Sequence, residues 1–154
     1  MYKFAVRSLV RKGLRELNRG NPAFIMGMAA RDAELAFPGE NSWSTMFRPV
    51  HKSRACHVTH CGIVECRAFA DRFVAEGIQF GEPEDILVNG PPWRTRVAIR
   101  VHDFKVDPDT GSDVYANRAV AFLELRWGKI VRWEDYEDTE RVAAWDANRA
   151  TSVQ

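Results

Sequence analysis

Hydrophobic residues in the first third of the chain follow the spacing of helices. They recur every three or four positions over about residues 3–18, where one stripe contains Val6, Leu9, Val10, Leu14 and Leu17. Gly20 and Pro22 end this predicted helix, and Pro22 also suits the start of a short second helix over 23–30. The pattern then predicts a short strand over 33–37, an irregular stretch over 40–60 and a third helix over 63–77.

The second half of the chain instead alternates apolar and polar residues, which is typical of strands. The predicted strands cover 84–88, 93–106, 114–126 and 130–137, and a short helix over 139–148 follows them. Helices followed by consecutive strands predict one α+β domain over 1–154, in which a cone-shaped, curved antiparallel sheet wraps around the N-terminal helices. Such a cone can hold a small ligand.

The charge of the chain narrows the classes of partner. Its 154 residues contain 22 Lys and Arg against 21 Asp and Glu, interleaved along the chain, so we expect no nucleic-acid partner. No apolar run has the length of a membrane-spanning helix, so we expect no membrane partner. The Arg-rich start is similar to a transit peptide, but its helical stripe favours an ordinary first helix, and three cysteines do not suit a disulfide framework. These features predict a cytoplasmic protein.

Alternation along the last predicted strand selects one acidic residue. Val131, Trp133 and Asp135 share a face, so the carboxyl group of Asp135 is expected on an apolar side of the sheet. Burial raises the pKa of such a group unless a cation or a hydrogen-bond donor compensates, and Arg100 or His102 on a neighbouring strand could do so. A carboxyl group in this setting can act as a general acid or base. The alternative is that Asp135, near a strand end, reaches solvent or caps the turn into the last helix.

The last predicted strand and its flanks resemble the signature end of SnoaL-like proteins, in the segment Gly128-Lys-Ile-Val-Arg-Trp-Glu-Asp-Tyr-Glu-Asp138. These proteins belong to the nuclear transport factor 2-like superfamily, together with ketosteroid isomerases and limonene-epoxide hydrolases. The opening is similar too, with an amphipathic helix that ends in 17–21, a short helix and then Asp32-Ala33-Glu34-Leu35. The resemblance covers nearly the whole chain and implies a cystatin-like cone and a homodimer, but this fold hosts enzymes, binding proteins and dimerisation modules.

The resemblance also implies roles for three residues. Asp135 matches the aspartate that deprotonates water in limonene-epoxide hydrolases. Arg100 falls near the pocket arginine of those enzymes, and His102 falls where their second aspartate is expected.

The chain departs from both enzyme families at other positions. Leu35 and Phe37 stand where the hydrolases hold the reacting water, and neither side chain can hold one. The base of ketosteroid isomerases falls at Phe37, their oxyanion-hole acid near Ala121 and their tyrosine near Gly13. The resemblance therefore does not carry over either of those two mechanisms.

A second group of reactive residue types lies in the irregular stretch and at the start of the third helix: Cys56, His57, His60, Cys61 and Cys66. These are zinc-ligand types, but they include no Cys-x-x-Cys pair, so a polar loop with free thiols is favoured over a metal site. We expect neither a metal nor another cofactor.

The sequence therefore predicts a protein with a small-molecule pocket and leaves two roles open. The first is an isomerase, hydrolase or cyclase for an apolar, polyketide-, terpenoid- or steroid-like substrate, with Asp135 as general acid or base and Arg100 and His102 as its supporting residues. The residues expected to contact the ligand are Phe37, Trp43, Phe73, Ala121 and Trp133. The second role is a non-catalytic ligand-binding or dimerisation module. In either role we expect a homodimer formed through the outer face of the sheet.

Overall fold

The computed structural model describes residues 1–51 and 57–151. Within these ranges the helices are α1 (Tyr2–Asn18), α2 (Ala23–Met28), α3 (Gly62–Ala75) and α4 (Thr139–Thr151). The strands are β1 (Ala29–Ala36), β2 (His60–Cys61), β3 (Gln79–Phe80), β4 (Asp85–Asn89), β5 (Thr95–Val106), β6 (Asp113–Arg126) and β7 (Lys129–Glu137). None of the helices in the described ranges has the length and hydropathy needed to cross a bilayer.

The strands form one curved, open sheet in the order β2-β1-β7-β6-β5-β3, and β4 pairs with β5 on the same side as β3. The predicted α+β fold is confirmed, and β5, β6 and β7 form an antiparallel meander. The expectation of an antiparallel sheet throughout is wrong, because β1 runs parallel to β7. No tight turn joins these two strands, so nothing local in the sequence fixes their relative direction.

Differences from the predicted elements are concentrated at the ends and in the shortest strands. The second helix ends at Met28, two residues earlier than predicted, and β1 begins at once with Ala29. The strands β2 and β3 contain two residues each, which is too few to show any periodicity in the sequence. Trp93, the first residue of the strand predicted over 93–106, lies before the start of β5 and is 57% exposed.

The core consists of two apolar clusters on the inner face of the sheet. In the first, α1 packs the stripe that includes Val6 and Val10 against Val97, Ile99 and Val101, which are at most 1% exposed. The second cluster joins α3, β1 and the loop after β1. Each fully buried aliphatic or aromatic side chain stabilises the fold by roughly 1.5–3 kcal/mol. A cavity lined by members of both clusters lies between them.

The turn between β6 and β7 and a one-residue register shift between Glu124 and Leu125 together set the register at the centre of the sheet. Trp127 and Gly128 have positive φ angles of 51° and 78°. Two-residue hairpin turns of this kind match the twist of the strands that they connect. In the ladder that follows, Ala121 lies opposite Asp135.

The turn before β5 gives a direct test of this backbone geometry. Gly90 has a φ of 90°, and an added Cβ would lie 2.2 Å from the backbone oxygen of Arg94. We therefore expect Gly90→Ala to lower the free energy of unfolding by about 2 kcal/mol or more. Urea unfolding followed by circular dichroism measures the change.

Gly27→Ala is the matched control for that variant. Gly27 lies in α2, and an added Cβ meets no atom within 4 Å. Because alanine is a better helix former than glycine, we expect stability to stay the same or to rise by up to about 1 kcal/mol. Equal unfolding midpoints for the two variants would contradict the geometry described at Gly90.

Candidate functional site

An open cavity lies between α3, β1 and the inner face of the sheet. Its empty volume is about 870 Å³, part of which is open solvent at the mouth. Most of its wall is apolar and comes from several elements; examples are Leu17, Leu35, Phe69, Phe80 and Val101. A cavity with this lining suits a small apolar molecule.

Small residues on β6 make room for the cavity. Ala119 and Ala121 point to the inner face between β5 and β7, and both line the cavity. Farther along the same face of β6, Leu123 and Leu125 fill the corresponding space and are 3% exposed. The cavity therefore lies over the part of the central strand that carries alanine.

Four carboxyl groups lie in the wall of this cavity. Glu34 on β1 is paired with Arg132 at 2.6 Å, and the other three come from Asp103 on β5 and from Asp135 and Glu137 on β7. The ladder between β6 and β7 sets Asp135 opposite Ala121 and Glu137 opposite Ala119. The carboxyl groups therefore flank the space above the two alanines.

Sequence reasoning predicted Asp135 and missed the other two acids, although the same alternation indicates them. Asp103 continues the inward series of β5, and Glu137 continues the inward series of β7. Both residues are found by continuing to count every second residue along the strand after the last apolar residue of the inner face.

Asp135 is held in the cavity wall by its neighbour on the same face. The indole Nε1–H of Trp133 donates a hydrogen bond to its Oδ1 at 2.6 Å. Burial raises the pKa of Asp135 to about 7, the Trp133 hydrogen bond opposes the rise, and the charge of Asp103 adds to it.

The backbone N–H groups of Glu140 and Arg141, at the start of α4, donate to Oδ1 of Asp138. The alternative role of Asp135 as the cap of that turn is therefore wrong.

Glu137 and Asp103 share the apolar surroundings of Asp135. Burial raises the pKa of Glu137 to about 9, and the charges of Asp135 and Asp103 act in the same direction. Burial also raises the pKa of Asp103. Oδ1 of Asp103 and Oε1 of Glu137 are buried and have no hydrogen-bond partner among the described residues. The wall therefore contains two buried acceptors that lack a donor.

Two polar residues of β6, Tyr115 and Asn117, contact these acids, and neither was a predicted site residue. Nδ2 of Asn117 lies 3.3 Å from the hydroxyl oxygen of Tyr115, and burial and the charge of Asp103 raise the pKa of that phenol. The amide Nδ2 of Asn117 donates to the carbonyl oxygen of Asp138 at 3.0 Å and to Oε2 of Glu137 at 3.4 Å. These bonds fix the side of the acid cluster that lies away from the alanines.

The structure does not bring Arg100 and His102 to Asp135. Both lie on the outer face of β5, where they alternate with buried residues of the inner face. Nη2 of Arg100 donates to Oδ2 of Asp85 at 2.5 Å. His102 is exposed, and its ring packs over Gly81 so closely that a Cβ there would lie 2.0 Å from it. The expected contact of these residues with Asp135 is wrong, because successive side chains of a strand point to opposite faces and the inward-facing residues of β5 are the odd-numbered ones.

Four of the five residues expected to contact a ligand line the cavity: Phe37, Phe73, Ala121 and Trp133. Trp43 does not line it. Its side chain is 3% exposed and packs behind Phe37, with the ring centroids 6.3 Å apart. The guanidinium of Arg72 lies 3.9 Å from the centre of the Trp43 ring. Trp43 therefore supports the wall from behind.

The Cys and His residues of the irregular stretch are partly described. Cys56 lies outside the described residues. His60 is fully buried, with Nδ1 2.7 Å from Oγ1 of Thr59, and burial lowers its pKa to about 4. Cys61 is exposed, whereas Cys66 lines the cavity and burial raises its thiol pKa to about 11. Within 1–51 and 57–151, no cluster of His, Cys, Asp and Glu has an arrangement that could hold a metal ion.

A second cavity, between α1 and the sheet, has an empty volume of about 600 Å³. It shares Ile25, Ile130 and Trp133 with the first cavity. Tyr2 is the one ionisable residue among the described residues that line it. The described lining of the second cavity therefore contains no carboxyl group.

Comparison with solved structures shows the same fold over nearly the whole chain. A loop-truncated variant of IdmH is 16% identical, with a TM-score of 0.65 over 90% of this chain and 96% of that chain. An NTF2-like protein from Burkholderia xenovorans LB400 is 18% identical, with a TM-score of 0.57 over 90% and 93%. A candidate polyketide cyclase from Xanthomonas campestris pv. campestris is 20% identical, with a TM-score of 0.52 over 92% and 93%. No family model and no curated protein sequence matches this chain. The fold is therefore NTF2-like, as the resemblance of the last strand implied.

The buried acids make stability depend on pH. Folding raises the pKa of Asp135 to about 7 and that of Glu137 to about 9, whereas carboxyl groups of an unfolded chain titrate near pH 4. The folded state therefore holds these protons more tightly, and the stability from these groups, complete below about pH 4, is lost as the pH rises through 7 and 9. We expect the double variant Asp135→Asn/Glu137→Gln to raise Tm by about 5 °C more at pH 8 than at pH 4, in thermal unfolding followed by circular dichroism.

Glu82→Gln is the control for this pH effect. Glu82 is exposed on the loop between β3 and β4. The same change of acid to amide there should shift Tm equally at both pH values. A gain in the double variant that did not vary with pH would contradict the burial described for the two acids.

Proposed function

We propose that this protein is an enzyme that moves protons on a small apolar molecule bound in the first cavity, with Asp135 as the general acid or base. The observation that carries the proposal is the carboxyl group of Asp135 in an apolar wall, where its pKa lies at about 7. An aspartate with the ordinary pKa near 3.9 is a weak base at neutral pH. A carboxyl group that titrates near neutral pH both accepts and donates protons readily.

Glu137 supplies a second proton carrier. It lies two residues from Asp135 on the same face of β7, so the two backbones are about 7 Å apart along the strand. Because its pKa lies at about 9, Glu137 remains protonated at a pH where Asp135 is ionised. Asp135 can then remove a proton at one position of a bound molecule while Glu137 returns one at another. This exchange is the chemistry of an isomerase, and it also serves ring closure in a cyclase.

The wall of the cavity supports an apolar substrate of polyketide-, terpenoid- or steroid-like character. The described lining is hydrophobic apart from its acids, and aromatic rings such as Phe69 and Phe73 form part of it. The candidate polyketide cyclase with the same fold is consistent with this class. Leu35 and Phe37 line the cavity where limonene-epoxide hydrolases hold their water, so the proposed proton transfer does not depend on a water bound there.

The second candidate function is ligand binding without a reaction. The observation that favours it is the position of Arg100 and His102 on the outer face, where they cannot stabilise negative charge on a bound molecule. An enzyme of the proposed kind must rely on Trp133 and on the protonated form of Glu137 for that purpose. Measurement of proton abstraction in the cavity separates the two functions.

Elimination of 5-nitrobenzisoxazole tests proton abstraction without knowledge of the natural substrate. A base removes the carbon-bound ring proton, the N–O bond breaks, and coloured 2-cyano-4-nitrophenolate is released. We expect kcat/KM for the native protein to rise with pH through about 7, as Asp135 ionises. We expect Asp135→Asn to lower kcat/KM by about 100-fold or more.

Asp85→Asn is the control for that experiment. It makes the same change of acid to amide on the outer face of the sheet, where Asp85 contacts Arg100, and it should leave the rate unchanged. If folded Asp135→Asn protein reacted as fast as the native protein, Asp135 would not be the base. If the native protein reacted no faster than buffer, ligand binding would be the better function.

We also propose that the protein forms a homodimer through the outer face of the sheet. Leu87 and Val120, exposed by 64% and 38%, lie on this face together with Phe122 and Tyr136. A row of apolar side chains on a sheet face is typical of a surface that another chain covers. Size-exclusion chromatography with light scattering should give twice the chain mass of 17.6 kDa.

Phe122→Lys tests this surface, because it places a charge at the centre of the apolar row. We expect the variant to elute as a monomer at the same concentration. Val64→Lys changes a residue on α3 that is 79% exposed, and it should leave the dimer intact. A native protein that is monomeric at high concentration would disprove the proposed dimer.

A further inference from the structure

Asp103 and Glu137 lie on opposite sides of the strand that carries the alanines. Asp103 pairs across the ladder with Asn117 on β6, and Glu137 pairs with Ala119 two residues farther along β6. Because Ala119 has only a methyl group, the side chains of the two acids border a space that the protein does not fill. A ligand group that reaches the floor of the cavity therefore comes between two carboxyl groups.

Each of these acids has an oxygen without a donor. Asp103 is 7% exposed and its Oδ1 is buried, and Oε1 of Glu137 is buried as well. Neither atom has a hydrogen-bond partner among the described residues. Buried acceptors are normally satisfied, because an unsatisfied one has lost its hydrogen bonds to water without replacement. The two oxygens therefore indicate a ligand that brings N–H or O–H donors.

The residue types of the wall, acidic without a basic residue among those described, indicate that this donor is a cation. Four acidic residues line the cavity, and one of them, Glu34, is paired with Arg132 at 2.6 Å. No Lys, Arg or His is among the described residues that form the lining. A cationic ligand would compensate the remaining acids in a place where water does so poorly.

The apolar part of the wall indicates that the cation is organic. The carboxyl groups do not form an arrangement that could hold a metal ion among the described residues. Phe37, Phe69, Phe73 and Trp133 present aromatic rings to the same space. Aromatic rings attract alkylammonium groups, and apolar walls suit the hydrocarbon part of an amine.

We infer that the cavity takes a molecule with an apolar body and a protonated amine, and that the ammonium group is bound between Asp103 and Glu137. This inference rests on the proposed function in that it uses the same cavity and narrows its substrate class, but it does not require Asp135 to act as a base. For an amine, Glu137 is the anion that binds the ammonium group, and proton transfer then depends on Asp135 alone. An ammonium group has three N–H donors, enough for both orphaned oxygens. The apolar body then lies along the aromatic wall toward the mouth.

Binding of such a ligand is coupled to proton release. The titratable groups around the site are Asp103 on β5, Tyr115 on β6, Asp135 and Glu137 on β7, Asp138 after β7, Glu34 on β1 and Cys66 on α3. In the unliganded protein burial favours the protonated forms of Asp103 and Glu137. An ammonium ion favours their ionised forms, so protons leave as it binds. Affinity for an amine should therefore rise with pH, while affinity for a neutral ligand of the same shape should not.

Two molecules of matched shape test the inference: 2-(1-naphthyl)ethylamine and 2-(1-naphthyl)ethanol. An alkylamine titrates near the lysine value of about 10.4, so it stays charged throughout the experiment. Isothermal titration calorimetry at pH 8 should give a Kd for the amine that is about 10-fold or more below that of the alcohol. At pH 5.5 the two values should agree within about 3-fold. At pH 8, titrations in two buffers of different ionisation enthalpy should show proton release with the amine alone.

Variants locate the ammonium group. Asp103→Asn and Glu137→Gln should each reduce the preference for the amine by about 3-fold or more at pH 8, because each removes one of the two charges. Leu35→Ala is the matched control, since it shortens the apolar wall without removing a charge or an aromatic ring. It should weaken both ligands by the same factor and leave their ratio unchanged.

Three results would overturn the inference. They are a preference for the amine below 3-fold at pH 8, a preference that persists in both acid variants, and no binding of the amine at millimolar concentration. The proposed function is judged separately by the elimination reaction. A rate that depends on Asp135 together with any of these three results would leave proton transfer standing and remove only the amine.

Discussion

The removal of carboxyl groups from water is the physical constraint on which this site depends. Asp103, Asp135 and Glu137 lie in a wall whose described residues are otherwise almost all apolar, so their charged forms are poorly solvated. The protein tolerates this because the three residues belong to neighbouring strands whose ladders are regular at these positions, and because Trp133 and Asn117 supply hydrogen-bond donors. The surrounding packing therefore stabilises an arrangement that the acids alone would oppose.

Much of the fold could be predicted from the sequence because its signals are local. The stripe on α1 and the alternation along β5 and β6 repeat over many residues, so each element is recognisable by itself. The parallel pairing of β1 with β7 could not be predicted in this way. It depends on which strand covers the free edge of β7, and that choice is made by packing between distant segments.

The site could be predicted as far as the alternation of inward and outward side chains was followed along each strand. Trp133 identified Asp135, and the same rule extended by one step finds Glu137 and, on β5, Asp103. The prediction that Val131 shares this face is wrong, because a register shift in the ladder puts Ile130 opposite the inward Leu125. The rule also excludes Arg100 and His102, because even-numbered positions of β5 face outward. The volume of the cavity was not predictable, because it depends on how far α3 and β1 stand from the alanines of β6.

The alanines of β6 separate the shape of the cavity from the integrity of the sheet. Ala119 and Ala121 pair with the neighbouring strands through their backbone groups, whereas only their methyl groups face the cavity, where they form part of its floor. A change of side chain there alters depth without removing a backbone hydrogen bond. One or two substitutions at such positions can therefore change which ligands an NTF2-like protein binds while its architecture stays the same.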